Sequence, residues 1–190
     1  MASQKKQKLY CYVDETGQDT TGELFFVVVA ILSDERDQIR GYLTDLEERS
    51  GKRARKWTRS TPRQRLAYIR GVLTHAAFAG LYYSKYQQSR AYVDLTILSV
   101  AKAINTHIEE PYAATVYVDG LQRTEEHRFA RGLRKLRISA RKVRGMKDEG
   151  DVFIRLADSL AGFVRDALGR DEGLETLYRE AVDQKRIQEV

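Results

Sequence analysis

The chain has 190 residues, enough for one domain with a sizeable core, and its 33 Lys and Arg against 27 Asp and Glu give a net charge of +6, which favours an anionic partner. The lone cysteine, Cys11, excludes an internal disulfide and points to a reducing, cytoplasmic setting. The longest apolar run, Leu24 to Leu32, is far shorter than the ~20 residues that cross a bilayer, and no apolar segment follows the charged start. Neither G-x-x-x-x-G-K-S/T nor G-x-G-x-x-G occurs, which argues against ATP or a dinucleotide as a ligand.

In chain order, residues 1–8 read as a solvated basic tail. Leu9 to Val13 and Leu24 to Leu32 are β-rich and separated by the polar Asp14 to Glu23, so they predict a hairpin whose first strand lies inside the sheet. Ser33-Asp34 reads as an N-cap, with Ile39, Tyr42, Leu43 and Leu46 at helical spacing up to a break at Ser50-Gly51. Thr61-Pro62 predicts the start of a second helix, running through Leu66, Ile69, Leu73 and Ala77 to Gly80. Leu81 to Tyr86 has strand composition, with Tyr82, Tyr83 and Tyr86 as core and sheet-edge residues, and Tyr92 to Ile108 restores a helical pattern that Pro111 ends. A strand over Ala113 to Asp119, a basic helix over Glu125 to Leu136 and a strand over Ile138 to Val143 follow. Val152 to Leu168 is an apolar helix closed by Gly169, and a polar helix within 171–190 completes the chain. This order predicts a single α/β domain of mixed α+β type over 1–190, three-layered, with one mixed central sheet of about five strands flanked by helices.

Three of these elements end or carry an acid beside apolar residues. Tyr10-Cys11-Tyr12-Val13 delivers Asp14 and Glu15 to a turn, Val116-Tyr117-Val118 delivers Asp119, and Asp158 lies on the flank of the apolar helix, where an aspartate is disfavoured unless partnered. Seven residues earlier Asp151 falls within roughly 20° of Asp158 on the helical wheel and about 10 Å along the axis, so it reads as a further ligand or as a helix cap. Clustered carboxylates raise one another's pKa unless a cation lies among them, and a hard divalent ion such as Mg²⁺ or Mn²⁺ takes oxygen ligands of this kind. The histidines, His75, His107 and His127, are scattered and show no zinc spacing.

The segments Asp14-Glu15-Thr16-Gly17 and Arg155-Leu156-Ala157-Asp158-Ser159-Leu160-Ala161-Gly162, with Val118-Asp119 between them, resemble the RNase H-like prokaryotic proteins grouped as domain of unknown function 3800. That family carries Asp-Glu-Ser-Gly after its first strand and a late Gln-Leu-Ala-Asp-Leu-x-Ala-Gly helix. The chain departs from it at Thr16, which keeps the hydroxyl, and at Arg155, which stands where the family has glutamine. The resemblance implies an RNase H-like fold and a metal-dependent phosphodiesterase or nuclease, with Asp14, Asp119 and Asp158 as ligands, Glu15 as a fourth, and products bearing 5′-phosphate and 3′-hydroxyl.

Charge layout adds a nucleic-acid partner. No acid occurs from Arg49 to Val93, where Lys52, Arg53, Arg55, Lys56 and Arg59 gather around Trp57, a candidate for stacking on a base. A second basic stretch includes Arg141, Arg144 and Lys147. The expected function is hydrolysis of RNA or DNA; the rival is a binding protein that keeps the fold and the basic surface without chemistry. Strandedness, RNA against DNA and oligomeric state are not legible in the sequence.

Overall fold

The computed structural model describes residues 6–18, 24–33, 36–76, 78, 80–109, 111–147, 150–169 and 171–190. The expected N-cap at Ser33-Asp34, the helical position of Ala77 and most of the basic tail lie outside these residues or across their edge.

A six-stranded mixed sheet, formed by β1 (Gln7–Thr16), β2 (Leu24–Leu32), β3 (Leu81–Gln87), β4 (Tyr112–Asp119), β5 (Ala140–Met146) and β6 (Gln188–Glu189), runs in the order β5-β4-β1-β2-β3-β6. β1 and β2 form the expected antiparallel pair, β4 lies parallel to β1 on its other side, and β5 lies parallel to β4. The run Leu24-Phe25-Phe26-Val27-Val28-Val29-Ala30-Ile31-Leu32 is continuously apolar because both faces of this central strand are covered. Phe26, Val28 and Ala30 enter one core; Phe25, Val27 and Val29 enter the other.

The first core is closed by α1 (Arg36–Arg49), α2 (Pro62–Thr74), α5 (Val152–Leu168) and α6 (Glu172–Asp183). α3 (Tyr92–His107) and α4 (Arg123–Lys135) close the second. α2 begins as its sequence demands: Thr61 Oγ1 accepts from the Gln64 amide while Gln64 Oε1 accepts from the Thr61 amide, and Pro62 occupies the first helical position. α5 is the most buried helix. Phe153, Ile154, Leu156, Leu160, Phe163 and Val164 are wholly inside, and each side chain of this size contributes about 1.5–3 kcal/mol on leaving water.

Three features differ from the sequence expectation. Gln7 and Lys8 belong to β1, paired with Tyr112 and Ala113, instead of to a tail. The two-residue β6, too short to show any periodicity, makes a sixth strand at the edge of β3. A 3₁₀ turn, η1 (Trp57–Arg59), stands in the basic stretch, for which the sequence predicts no regular element. Among the described residues no helix is long and apolar enough to cross a membrane.

Candidate active site

Parallel pairing of β1 with β4 sets Val13 opposite Val118, so Asp14 and Asp119 are next in register at the carboxyl ends of neighbouring strands, whose spacing is about 4.8 Å. Side chains alternate along a strand. Tyr12 and Tyr117 stack on each other and belong to the α5 side of the sheet, which directs Asp14 and Asp119 to that side as well. Glu15 follows Val13 to the opposite side, where Thr96 of α3 donates to Oε2 at 2.9 Å and Gln18 donates to Oε1 at 2.6 Å.

Asp158 reaches the same end of the sheet from α5, and its Oδ2 accepts the backbone N–H of Trp57 at 2.8 Å. The Asp14 carboxyl is pushed well above the ordinary carboxylate range, first by burial and then by the negative charges of Asp158 and Asp119; a hydrogen bond from the Glu15 amide at 2.8 Å opposes the rise only in part. Glu15 is raised too, chiefly by burial, with Asp119 and Glu125 adding to it and Thr96 opposing. Asp14, Glu15, Asp119 and Glu125, with Thr96, line a cleft of about 570 Å³ between the strand tips, α3 and the start of α4. Glu125, read from the sequence only as the first residue of a basic helix, is the acid that the linear pattern did not single out. Gly17 closes the β1 turn at φ 96°, and a Cβ there would lie 2.0 Å from the Leu24 carbonyl oxygen, so no other residue fits.

A small framework fixes Asp158. The Trp57 indole N–H donates to Asp166 Oδ2 at 2.6 Å while its amide holds Asp158, so one residue grips two points of α5. Arg165 binds Asp166 Oδ1 and donates to Thr16 Oγ1 at 3.2 Å, tying the β1 turn to the same helix. The indole lies against Gly162, where an added Cβ would come within 2.2 Å of the ring. Gly162→Ala is therefore expected to cost about 1–3 kcal/mol through overpacking and to lower activity with it. Thermal melts check this; a variant as stable as the parent would mean that η1 does not need this close approach.

One expectation is corrected and one open reading is decided. Trp57 is only 1% exposed and packed on α5, so it offers no face to a base. Asp151 caps α5, accepting from the Phe153 amide at 2.9 Å and pairing with Arg40 at 3.2 Å, and so is engaged at the helix start instead of beside Asp158. Lys52 is also withdrawn from solvent, its Nζ donating to the Arg55 carbonyl at 2.7 Å beside Glu47. Arg155 makes a bidentate pair with the same Glu47, both bonds at 2.8 Å. Arg53, Arg55, Lys56 and Arg59 are exposed around η1, and Arg141, Arg144 and Lys147 are exposed along and just beyond β5.

No family profile and no curated protein matches the chain. Its fold is RNase H-like. It is similar to ribonuclease H2 from Pyrococcus horikoshii OT3 at 19% identity and a TM-score of 0.56, over 90% of this chain and 76% of that one. It is similar to RNase HII from Archaeoglobus fulgidus, solved in complex with PCNA, at 15% identity and a TM-score of 0.52, over 90% and 77% of the two chains. Against a mutant of Bst-RNase HIII the identity is 16% and the TM-score 0.51, with 92% of this chain covering just over half, 55%, of that one. Likeness at these identities is a likeness of fold.

Proposed function

We propose that the chain is a metal-dependent phosphodiesterase that hydrolyses RNA or DNA, and that it belongs with the proteins grouped as domain of unknown function 3800. The observation that carries this reading is the convergence of Asp14, Asp119 and Asp158 on one end of the sheet, from two adjacent strand tips and a buried helix, where burial first and then the charges of Asp158 and Asp119 push the Asp14 carboxyl up. Such an arrangement is unfavourable for a fold unless a cation joins it, and an all-oxygen donor set suits Mg²⁺ or Mn²⁺.

As the side chains lie, no group of three Asp, Glu, His or Cys among the described residues encloses an ion; the carboxylates would turn inward to hold one. When bound, the metal would supply an activated water and neutralise charge at the leaving oxygen. The chain's own part is to hold the three aspartates on rigid elements and to keep Glu15 at the cleft through Thr96 and Gln18.

The test is incubation with RNA, DNA and hybrid substrates in Mg²⁺, Mn²⁺ or EDTA. Cleavage that requires the divalent ion is expected. Binding without cleavage of any substrate would favour the second reading, a non-catalytic nucleic-acid-binding protein, which the open spacing of the acids supports.

The raised Asp14 pKa also sets a pH dependence. A carboxyl whose folded pKa exceeds its unfolded value contributes stability that is present in full below the unfolded pKa and is lost as pH rises through the folded one. Asp14→Asn keeps an acceptor for the Glu15 amide and removes that loss. In EDTA its melting temperature is expected to gain on the wild type as pH rises from about 5 to 8. Parallel melting curves across that range would show that Asp14 carries no such penalty.

A further inference from the structure

The cleft does not stop at the acids. Leu121, in the connection from β4 to α4, borders both the cleft and a depression formed with Arg123, Glu126, Arg144 and Gly145. Glu126 and Arg144 in turn border both that depression and a groove between α4 and β5, where Arg134, Arg141 and Lys142 stand. The three hollows therefore share walls and form one surface path from the acids outward along an edge strand of the sheet.

Beyond the cleft the path is mainly positive. Glu126 is the one acid among the described residues that line its two outer hollows, and it is already occupied: Arg144 binds its Oε2 at 2.6 Å and the Gly145 amide binds its Oε1 at 3.1 Å. Arg123, Arg134, Arg141 and Lys142 are exposed. Spacing fits a repeating polyanion. Met146 is in register with Asp119, and Arg141 lies five residues back along β5, about 16 Å at ~3.3 Å per residue. A duplex strand passes one phosphate per ~3.4 Å of axis, so about four or five phosphates would lie along the path.

We infer that the α4–β5 groove is a backbone track for the nucleic acid, in which Arg134, Arg141 and Lys142 hold phosphates several nucleotides away from the acids. The inference rests on the proposed function only in taking nucleic acid as the partner. It assigns the track to the β5 edge of the sheet, with basic side chains that are separate from those around η1. It also makes affinity depend on length, because a short oligonucleotide centred on the acids does not reach Arg141.

The experiment compares the wild type with the triple variant Arg134→Ala, Arg141→Ala, Lys142→Ala and with a charge-matched control, Lys8→Gln, Lys85→Gln, Lys102→Gln. The control lysines are exposed and line none of these hollows. Binding of fluorescent DNA and RNA oligonucleotides of about 6 and 25 nucleotides is measured in EDTA over a range of salt, with circular-dichroism melts to verify folding. The triple variant is expected to lose about 10- to 100-fold in affinity for the long duplex, with its salt slope reduced by about two to three. The control is expected to stay within about twofold of the wild type. Equal losses in the two variants, an equal loss on both oligonucleotide lengths, or a wild type that binds no nucleic acid would each overturn the track. Because binding is read without metal, failure of the wild type to cleave would sink the nuclease reading alone and leave the track standing.

Discussion

Asp158→Asn is expected to abolish divalent-dependent cleavage, a fall of at least ~10²-fold, the scale on which a single positioned group acts in a transition state, while the fold survives. The separation of the two effects follows from the geometry. Asparagine keeps an oxygen to accept the Trp57 amide, the bond Asp158 makes at 2.8 Å, so η1 stays docked. It removes the largest of the neighbouring charges that raise Asp14, so in EDTA the variant is expected to melt at or slightly above the wild type. Asp158→Ala loses the acceptor as well and strands a buried N–H, a penalty of about 1–3 kcal/mol.

The pair of variants thus distinguishes a ligand from a cap. A ligand gives an inactive Asn variant that is fully stable and an inactive Ala variant that is less stable. If Asp158 serves only to hold η1, the Asn variant cleaves as the wild type does, and the assignment of Asp158 to the chemistry is lost.

How much of this site could be read in the chain depends on the range of the interactions that build it. β1, β2 and α5 carry their own signals: an unbroken apolar run for a strand covered on both faces, and apolar residues around most of a helix that is nearly all buried. The acids beside them were legible because a carboxylate next to Val13, Val118 or Ala157 contradicts the local pattern. Trp57 was misread for the complementary reason. A tryptophan amid five nearby cations looks like a stacking platform until α5 is placed against it, and only Gly162, 105 positions later, leaves room for the ring. Asp151 offered two readings, ligand or cap, and the Phe153 amide with Arg40 from α1 engages it as the cap. Glu125 carried no signal, because an acid in the first turn of a helix is ordinary; it gains its place from the cleft it lines.

Arg155, where the chain departs from the family motif, leads to the largest expected effect on stability. Glu47 is almost fully buried and serves two cations: both its oxygens bind Arg155, and Lys52, wholly buried, sits 3.8 Å from Oε1. Burial lowers the Lys52 pKa and Glu47 works against that fall, while the pKa of Arg155 is raised mainly by its bonds to Glu47. Glu47→Ala leaves both cations without their carboxylate, a loss of about 3–5 kcal/mol. For a chain of this size that is a fall in melting temperature of about 10 °C or more. Lys52 also donates to the Arg55 carbonyl, so the basic loop before η1 loosens with it. The deficit should narrow toward alkaline pH: a lysine whose folded pKa is depressed destabilises the fold while protonated, and that penalty fades as pH rises through its folded pKa, whereas Arg155 keeps its charge. Replacing all three, Glu47→Leu, Lys52→Met and Arg155→Met, removes the charges together and is expected to recover most of the loss. Melting curves for the single and triple variants between about pH 7 and 10 decide the matter, and a Glu47→Ala protein that melts within about 2 °C of the wild type at pH 7 would show that these cations reach water and that the pairing holds nothing in place.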